Sequence, residues 1–137
     1  MNLKDMIDFE RNNGVFVENS NVSNISMMYL YSNSRYRAHK CFEEIIPSKR
    51  QNQFGCSDWR IPTREVAFTL KEDLKKLFRN NNLYASDVIF SIWTDDIIKE
   101  SNGRLLYFNC YYNFILNKWG LRETIGKECK AYIVFVR

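Results

Sequence analysis

The fold of this chain is decided by the stretch Gly55-Cys56-Ser57-Asp58-Trp59-Arg60-Ile61-Pro62-Thr63. A glycine followed by serine and aspartate indicates a turn, and the tryptophan behind it is large enough to anchor that turn in a core. Pro62 restricts Ile61 to an extended backbone, and Thr63 is a good N-cap for a following helix. Residues 55–63 therefore predict a rigid joint that pins a loop to the core.

Within this joint we predict structural roles, and no ligand contact, for Asp58, Trp59, Arg60 and Pro62. The Asp58 carboxylate can accept hydrogen bonds from backbone donors in its own turn. The Trp59 ring can fill a core site, where its indole N–H needs one acceptor. The Arg60 guanidinium is a planar fork that suits a carboxylate or several carbonyl groups.

Length and composition indicate one globular domain. The chain has 137 residues, of which 45% are hydrophobic and 26% charged, and it contains no repeat or low-complexity linker. A chain of this length can bury a core without disulfides or metals. We therefore predict a single domain over residues 1–137, with residues 1–24 as a candidate N-terminal extension.

Hydrophobic periodicity and turn residues predict the elements before the joint. A short amphipathic helix spans residues 1–11, and strands follow at 15–17 and 25–31, separated by a polar, turn-like segment. The apolar side of that helix carries Leu3, Met6, Ile7 and Phe9. A longer helix is predicted from the N-cap candidates at 32–34 to about residue 46, where Pro47 ends it. One face of it carries Ala38, Cys41, Phe42 and Ile45.

A second long helix follows the joint. Thr63 caps it, and a capping box over residues 69–72 starts or restarts it. Its apolar stripe consists of Leu70, Leu74, Leu77 and Phe78, and asparagines at 80–82 end it. Strands are then predicted at 88–93, 105–112, 114–116 and 131–136, with a turn at 99–104 and a long loop at 118–130. The order predicts an α+β fold with two helices packed on a largely antiparallel, twisted sheet.

The joint resembles the Gly-Tyr-Ser-Asp-Trp-Arg-Leu-Pro-Thr hallmark of a bacterial family of C-type-lectin-like domains, whose best-known member is the C-terminal domain of a collagen-like adhesin. Later segments follow the family order: Trp93-Thr94-Asp95 is similar to its Trp-Ser-Ser stretch, Tyr107-Phe108-Asn109-Cys110 to its Tyr-Val-Asn-Phe strand, and residues 132–137 to its closing strand. The resemblance covers about residues 27–137. It implies a C-type-lectin-like fold with a long C-terminal loop region, and a structural role for Trp93.

The cysteines indicate no metal site. Cys41, Cys56, Cys110 and Cys129 form no Cys-x-x-Cys pair, and Phe135 stands where the family has its last cysteine. No signal peptide is visible, so we expect reduced thiols in the cytoplasm. Two disulfides remain an alternative if the protein leaves the cell by a non-classical route. No segment approaches the ~20 apolar residues of a membrane span.

The sequence contains no catalytic constellation. His39 is the single histidine, and no reactive cysteine pair stands at a recognisable motif. The calcium-binding triplets of C-type lectins are also absent, because neither Pro47 nor Pro62 stands in one. Asp95 and Asp96 are adjacent carboxylates, which we interpret as solvated acids at a strand end. We therefore predict a non-enzymatic chain that needs no cofactor and no calcium.

A tyrosine- and asparagine-rich strand over residues 107–114 is the candidate binding surface. Alternation places Tyr107 and Tyr111 on one face, and Trp119 and Arg122 follow in the predicted loop. Tyrosine and asparagine are favoured on adaptable recognition surfaces. The alternative is a strand buried on both faces. The leading interpretation is a binding module whose ligand is a protein, contacted through Tyr107, Tyr111, Trp119 and Arg122.

Two other functions remain open. Residues 35–80 carry eleven basic and six acidic side chains, which suits a polyanion such as a sulfated glycan. The candidate polyanion residues are Arg35, Arg37, Lys40, Lys71, Lys75, Lys76 and Arg79. Nucleic acid is the less favoured polyanion because no nucleic-acid motif is present. The third hypothesis is a small effector or inhibitor that blocks a host or rival protein.

Overall fold

The computed structural model describes residues 2–48, 52–83, 89–113, 116–123 and 129–137. These residues form a mixed α/β structure with five helical segments and three antiparallel sheets that do not close into a barrel. The helical segments are Leu3–Arg11 (α1), Ser20–Ser23 (α2), the π-helix Lys40–Ile45, Arg64–Thr69 (α3) and Lys71–Asn80 (α4). The strands are Gly14–Phe16 (β1), Met27–Leu30 (β2), Tyr36–Arg37 (β3), Ile89–Lys99 (β4), Leu105–Asn113 (β5), Lys118–Glu123 (β6), Lys130–Ala131 (β7) and Val134–Val136 (β8). Within these residues, no helix is long and apolar enough to cross a membrane.

The central sheet has the strand order β1-β2-β8 and is buried on both faces. Successive side chains of a strand point to opposite faces, so β2 divides its four residues between two cores. Met28 and Leu30 pack in the core that contains α3 and α4, whereas Met27 and Tyr29 pack in the core that contains α1 and the π-helix. Helical elements therefore lie on both sides of this sheet.

The joint is bound to the last strand and to β4. Trp59 is buried, and its indole N–H donates to the carbonyl oxygen of Gln53 at 2.8 Å. Arg60 and Val136 exchange two main-chain hydrogen bonds, of 3.0 and 2.8 Å. The amide N–H of Asp95 donates to the carbonyl oxygen of Pro62 at 2.9 Å. Val136 and Asp95 are far from the joint in sequence. Their bonds to Arg60 and Pro62 therefore connect the joint to the last strand and to β4.

Two details of the joint differ from the sequence-based expectation. The Asp58 carboxylate is held mainly by the Arg137 side chain, whose Nε and Nη2 donate at 2.6 and 3.2 Å, and the predicted backbone bond within its own turn is the smaller contribution. The hydrogen bonds that the structure describes for Arg60 are main-chain bonds, and its side chain is exposed. The sequence suggested that the planar guanidinium of Arg60 suits a carboxylate. The arginine that pairs with a carboxylate in this joint is Arg137, which follows the last strand.

The first long helix begins later than predicted. Ser32 and Ser34 do not cap it, because the Ser34 N–H donates to Ser32 Oγ within a local turn and Ser32 Oγ also bonds the Tyr36 hydroxyl at 2.7 Å. Tyr36 and Arg37 instead form β3, which pairs with β7. Helical structure starts at residue 38 and includes the π-helix, which buries Cys41 and Ile45 as the periodicity predicted.

The second long helix is two helices. The Thr63 side chain accepts from the N–H of Val66 at 3.3 Å, which confirms the predicted N-cap. The restart near residue 70 is also present, but the predicted capping box is wrong: the Thr69 hydroxyl donates back to the carbonyl oxygen of Val66 at 2.7 Å. The apolar stripe of α4 is buried as predicted.

The C-terminal half contains more strand than predicted. Strand β4 continues to Lys99 through a bulge between Trp93 and Ile97, where the Thr94 hydroxyl donates to the carbonyl oxygen of Phe108. The turn near residues 99–104 is confirmed.

The expected strand at 114–116 is wrong at Leu116, which lies in a turn, and residues 114 and 115 lie outside the described residues. The first half of the predicted loop at 118–130 is β6. Lys130 belongs to β7, and residues 124–128 of the predicted loop lie outside the described residues.

Within the N-terminal segment, α1 packs on the rest of the chain mainly through one buried residue. Phe9 is fully buried, and its ring fills the space beside Gly14. The predicted apolar side of α1 is otherwise wrong, because Leu3, Met6 and Ile7 are exposed. Strand β1 extends the central sheet through its pairing with β2.

Truncation of the joint's anchor tests its structural role. We expect Trp59→Ala to lower the free energy of unfolding by about 3–5 kcal/mol, because it removes a buried aromatic ring and leaves a cavity. Urea denaturation followed by circular dichroism measures this loss. Trp59→Phe is the matched control, since it keeps a ring but loses the bond to Gln53, and should cost less. An unchanged unfolding midpoint in Trp59→Ala would show that the joint is not an anchor.

The Asp58–Arg137 pair predicts a pH dependence. The Arg137 hydrogen bonds lower the pKa of Asp58 below its ordinary value. The stabilisation from this pair is therefore present above the unfolded-state pKa of about 3.9 and is lost as the pH falls through the folded-state pKa. We expect wild type to exceed Asp58→Asn in urea midpoint at pH 7 and the two midpoints to converge near pH 2. A midpoint difference that stays constant over this range would contradict the role of the pair.

Candidate functional site

The sheet β4-β5-β6 carries the four residues that the sequence nominated for binding. Strand β5 is its central strand, and Tyr107 and Tyr111 lie on the same face of it, two positions either side of Asn109. Arg122 pairs with Asn109 and therefore points to this face as well. Trp119 pairs with Tyr112 and points to the opposite face. The structure thus separates Trp119 from the other three residues.

Tyr111 and Arg122 form a fixed aromatic–cation pair. Tyr111 pairs with Gly120 in β6, and a Cβ atom built on Gly120 would overlap the Tyr111 ring. The ring therefore lies against the β6 backbone, in space that only a glycine leaves open. The guanidinium carbon of Arg122 lies 5.0 Å from the centroid of this ring. Sequence reasoning missed Gly120, although a glycine between strand-forming residues is the available signal.

Tyr107 belongs to a different environment on the same face. Its ring stacks on Phe42 with a centroid distance of 4.5 Å, and burial together with the nearby Glu43 charge raises the pKa of its hydroxyl. Asn109 lies between the two tyrosines and is fully buried, and its Nδ2 donates to Cys129 Sγ at 3.1 Å. A buried part of the sheet face, at Asn109, therefore separates Tyr107 from Tyr111, and the two tyrosines do not form one continuous surface.

Trp119 packs toward the helices. Its ring lies 5.3 Å from that of Tyr112 and 5.3 Å from that of Phe68, between centroids. It contacts the core that contains α3 and α4. These contacts place Trp119 at the edge of a core and away from Tyr111.

One end of the same sheet exposes large apolar side chains that the sequence did not nominate. Ile97, Ile98 and Leu105 are 45%, 53% and 44% exposed. They lie where β4 and β5 pair beside their connecting turn, and we call them the hairpin tip. The turn itself is closed by an ion pair from Arg104 Nη2 to Glu100 Oε1 at 2.7 Å. The only sequence signal for the hairpin tip was its position beside the predicted turn at Asn102-Gly103.

The candidate polyanion residues do not form one surface. Arg35, Arg37 and Lys40 lie in and around β3 and the π-helix, whereas Lys71, Lys75, Lys76 and Arg79 lie on α4. The π-helix and α4 pack on opposite sides of the central sheet. Two of these cations already have partners within the chain. Lys40 forms an ion pair with Glu44 at 3.2 Å, and Lys71 donates a hydrogen bond to Asn117 at 2.8 Å. Lys71 and Lys75 additionally lie over the Tyr112 ring.

Asp95 and Asp96 lie at the bulge inside β4, and not at a strand end as predicted. Asp96 lies 3.7 Å from Arg64 Nε, and burial with the neighbouring Asp96 charge raises the pKa of Asp95. Within the described residues, no three histidine, cysteine or acidic side chains are grouped to hold a metal ion. The four cysteines are free thiols, and burial raises the pKa of Cys41 and Cys110 to about 12. Both thiols stay protonated at neutral pH, and a thiol is a far weaker nucleophile than a thiolate.

Comparison of the chain with family models, curated proteins and solved structures finds no match. Membership of the C-type-lectin-like family therefore stays a prediction from the residues of the joint. Function is inferred from the geometry of the sheet β4-β5-β6.

Substitution of Gly120 tests whether the Tyr111 ring lies against its backbone. We expect Gly120→Ala to displace the ring and to cost about 1–3 kcal/mol, as overpacking does. The double variant Gly120→Ala with Tyr111→Ala should recover part of that loss, because the overlapping ring is gone. Urea denaturation of the wild type, both single variants and the double variant measures this coupling. Strictly additive losses would show that Tyr111 does not lie on Gly120.

Proposed function

We propose that this chain is a non-enzymatic binding module with a C-type-lectin-like fold that recognises a protein through the sheet β4-β5-β6. The proposed surface lies on the Tyr111 face of this sheet and has two parts, the hairpin-tip residues Ile97 and Leu105 and the Tyr111–Arg122 pair, with the buried Asn109 between them. The observation that carries the proposal is the exposure of Ile97 and Leu105 on this one face, at one end of the sheet, whereas Ile98 points to the opposite face. Apolar side chains grouped on a surface are typical of protein interaction sites.

The chemistry of this surface suits a protein better than a small charged ligand. Protein interfaces combine an apolar centre with tyrosine and arginine residues that contribute a large share of the binding energy. Tyr111 is held in place by Gly120 and Arg122 before any ligand binds. A preordered aromatic ring loses little conformational freedom on binding, which favours affinity.

The proposal of a C-type-lectin-like fold is supported by the joint. Its residues bond directly to the segment that resembles the closing strand of the family, through Arg60 with Val136 and Asp58 with Arg137. Trp93, the further structural residue implied by the resemblance, is fully buried and donates its indole N–H to the carbonyl oxygen of Tyr36 at 2.8 Å. These contacts support the scaffold role that the resemblance implies for Asp58, Arg60 and Trp93.

Affinity capture from lysate of the protein's own cells tests the proposed surface. We expect wild-type protein to retain a discrete partner and Ile97→Lys to lose it, because a charge replaces an apolar contact at the hairpin tip on the Tyr111 face. Tyr111→Ala should weaken retention as well. Val22→Lys is the matched control, since it places the same charge at an exposed apolar position on α2, where Val22 is 76% exposed.

Thermal denaturation of each variant establishes that it is folded before capture is compared. Equal retention by wild type, Ile97→Lys and Tyr111→Ala would contradict the proposed surface. In that case a heparin column distinguishes the polyanion hypothesis, which requires retention that falls steeply with salt because counterions are released. The inhibitor hypothesis keeps the same surface and differs in the identity of the captured protein.

A further inference from the structure

A cavity of about 350 Å³ lies between the end of α1, strand β2 and the segment that enters the joint. Three aromatic and three amide side chains line it, and we call it the amide pocket. They are Tyr29, Tyr31 and Phe54, and Asn12, Asn13 and Gln53. Pockets of a few hundred Å³ with apolar walls and a few polar groups are typical small-molecule sites. None of these residues belongs to the sheet β4-β5-β6, so the pocket is separate from the proposed protein surface.

The walls of the amide pocket are held by packing. The Phe54 ring makes edge contacts with Phe9 and Tyr29, at centroid distances of 4.9 and 5.4 Å. The Tyr31 ring is fixed in the same way by Tyr36, at 5.6 Å. Edge-to-face contacts of this kind restrict ring rotation. The aromatic surface is therefore in place before a ligand arrives.

The backbone of the pocket is also fixed, at some energetic cost. Asn13 and Phe54 have φ values of +72° and +55°, in the left-handed region that a bulky residue such as phenylalanine rarely adopts. The carbonyl oxygen of Asn13 accepts from the N–H of Leu30 at 2.9 Å, and that of Gln53 accepts from the Trp59 indole. Strained backbone conformations persist where surrounding bonds enforce them, and they concentrate at binding sites.

Polar groups of the pocket are left for a ligand. No hydrogen bond joins the side-chain amides of Asn13 and Gln53 to the described part of the chain. Asn12 uses only its Nδ2, which donates to the carbonyl oxygen of Asp8 at 2.7 Å. The Tyr29 hydroxyl is buried without a hydrogen-bond partner among the described residues. This hydroxyl oxygen lies below the accessible surface, so the polar groups that a ligand in the pocket can reach are the side-chain amides.

The lining chemistry selects the ligand class. An amide side chain offers a donor and an acceptor side by side, which matches the hydrogen-bonding edge of a nucleobase. Aromatic side chains provide faces on which a base stacks. None of the lining residues that the structure describes is charged. We propose that the amide pocket binds the base of a nucleoside, with Gln53 and Asn13 on its polar edge and Tyr31 and Phe54 against its faces.

Saturation-transfer NMR on the full chain with adenosine, guanosine, cytidine and uridine tests this proposal. We expect saturable transfer to the base protons of at least one nucleoside, with a Kd in the millimolar range or tighter. Amide shift changes should map to residues 12–13, 29–31 and 53–54. No saturable binding of any of the four, or shift changes confined to β5 and β6, would overturn the proposal.

Two variants test the named contacts. Gln53→Ala removes one amide, and Asn13→Gly removes another while keeping a residue that tolerates positive φ. Each should weaken nucleoside binding by about tenfold, as loss of a bidentate base contact does. Asn33→Gly is the control, since it removes an exposed amide outside the pocket and should leave the affinity unchanged. Unchanged affinity in both pocket variants would place the nucleoside elsewhere and overturn the assignment, whatever the outcome of the capture experiment.

Discussion

The structure depends on the burial of Trp59 at the point where the joint meets the last strand. Once its ring is inserted and its N–H is bonded to Gln53, the adjoining Arg60 lies where it can exchange two main-chain bonds with Val136. The same alignment places Asp58 beside Arg137. One aromatic side chain thereby positions the connection between the helices on one side of the central sheet and those on the other. The proposed sites are surfaces of the scaffold that this contact assembles.

The central sheet separates the molecule's chemistry into two sides. Strand β2 contributes alternate residues to each core, so the π-helix and α4 face away from one another. Basic side chains that seem to form a cluster in the sequence are therefore distributed over opposite sides of the molecule. The hairpin tip, by contrast, gathers apolar side chains of two strands at one end of a sheet. This contrast is the reason why we propose a protein ligand and not a polyanion.

Local patterns predicted the elements whose causes are local. The stripe from Leu70 to Phe78, the cap at Thr63 and the turn near Gly103 each follow from a few adjacent residues. Strand β3 was missed because Tyr36 is extended by pairing with Ala131, far along the chain. Two features of the candidate site have the same origin. Trp119 was placed in a loop because the pairing of β6 with β5 is not visible in its own residues, and Gly120 gains its role only from Tyr111 across the strands.

The pairing of β2 with β8 also has a kinetic consequence. Ser26 and Arg137 are bonded although they are 111 residues apart, and Arg137 reaches Asp58 across 79 residues. Contacts between distant residues require the ends of long loops to meet before any stabilisation is gained, which slows folding. During that interval the apolar residues of β2 lack their neighbouring strand, and an unpaired apolar strand is prone to associate with other chains. At high protein concentration, the yield of folded chain therefore depends on whether β8 pairs with β2 faster than β2 associates with other chains.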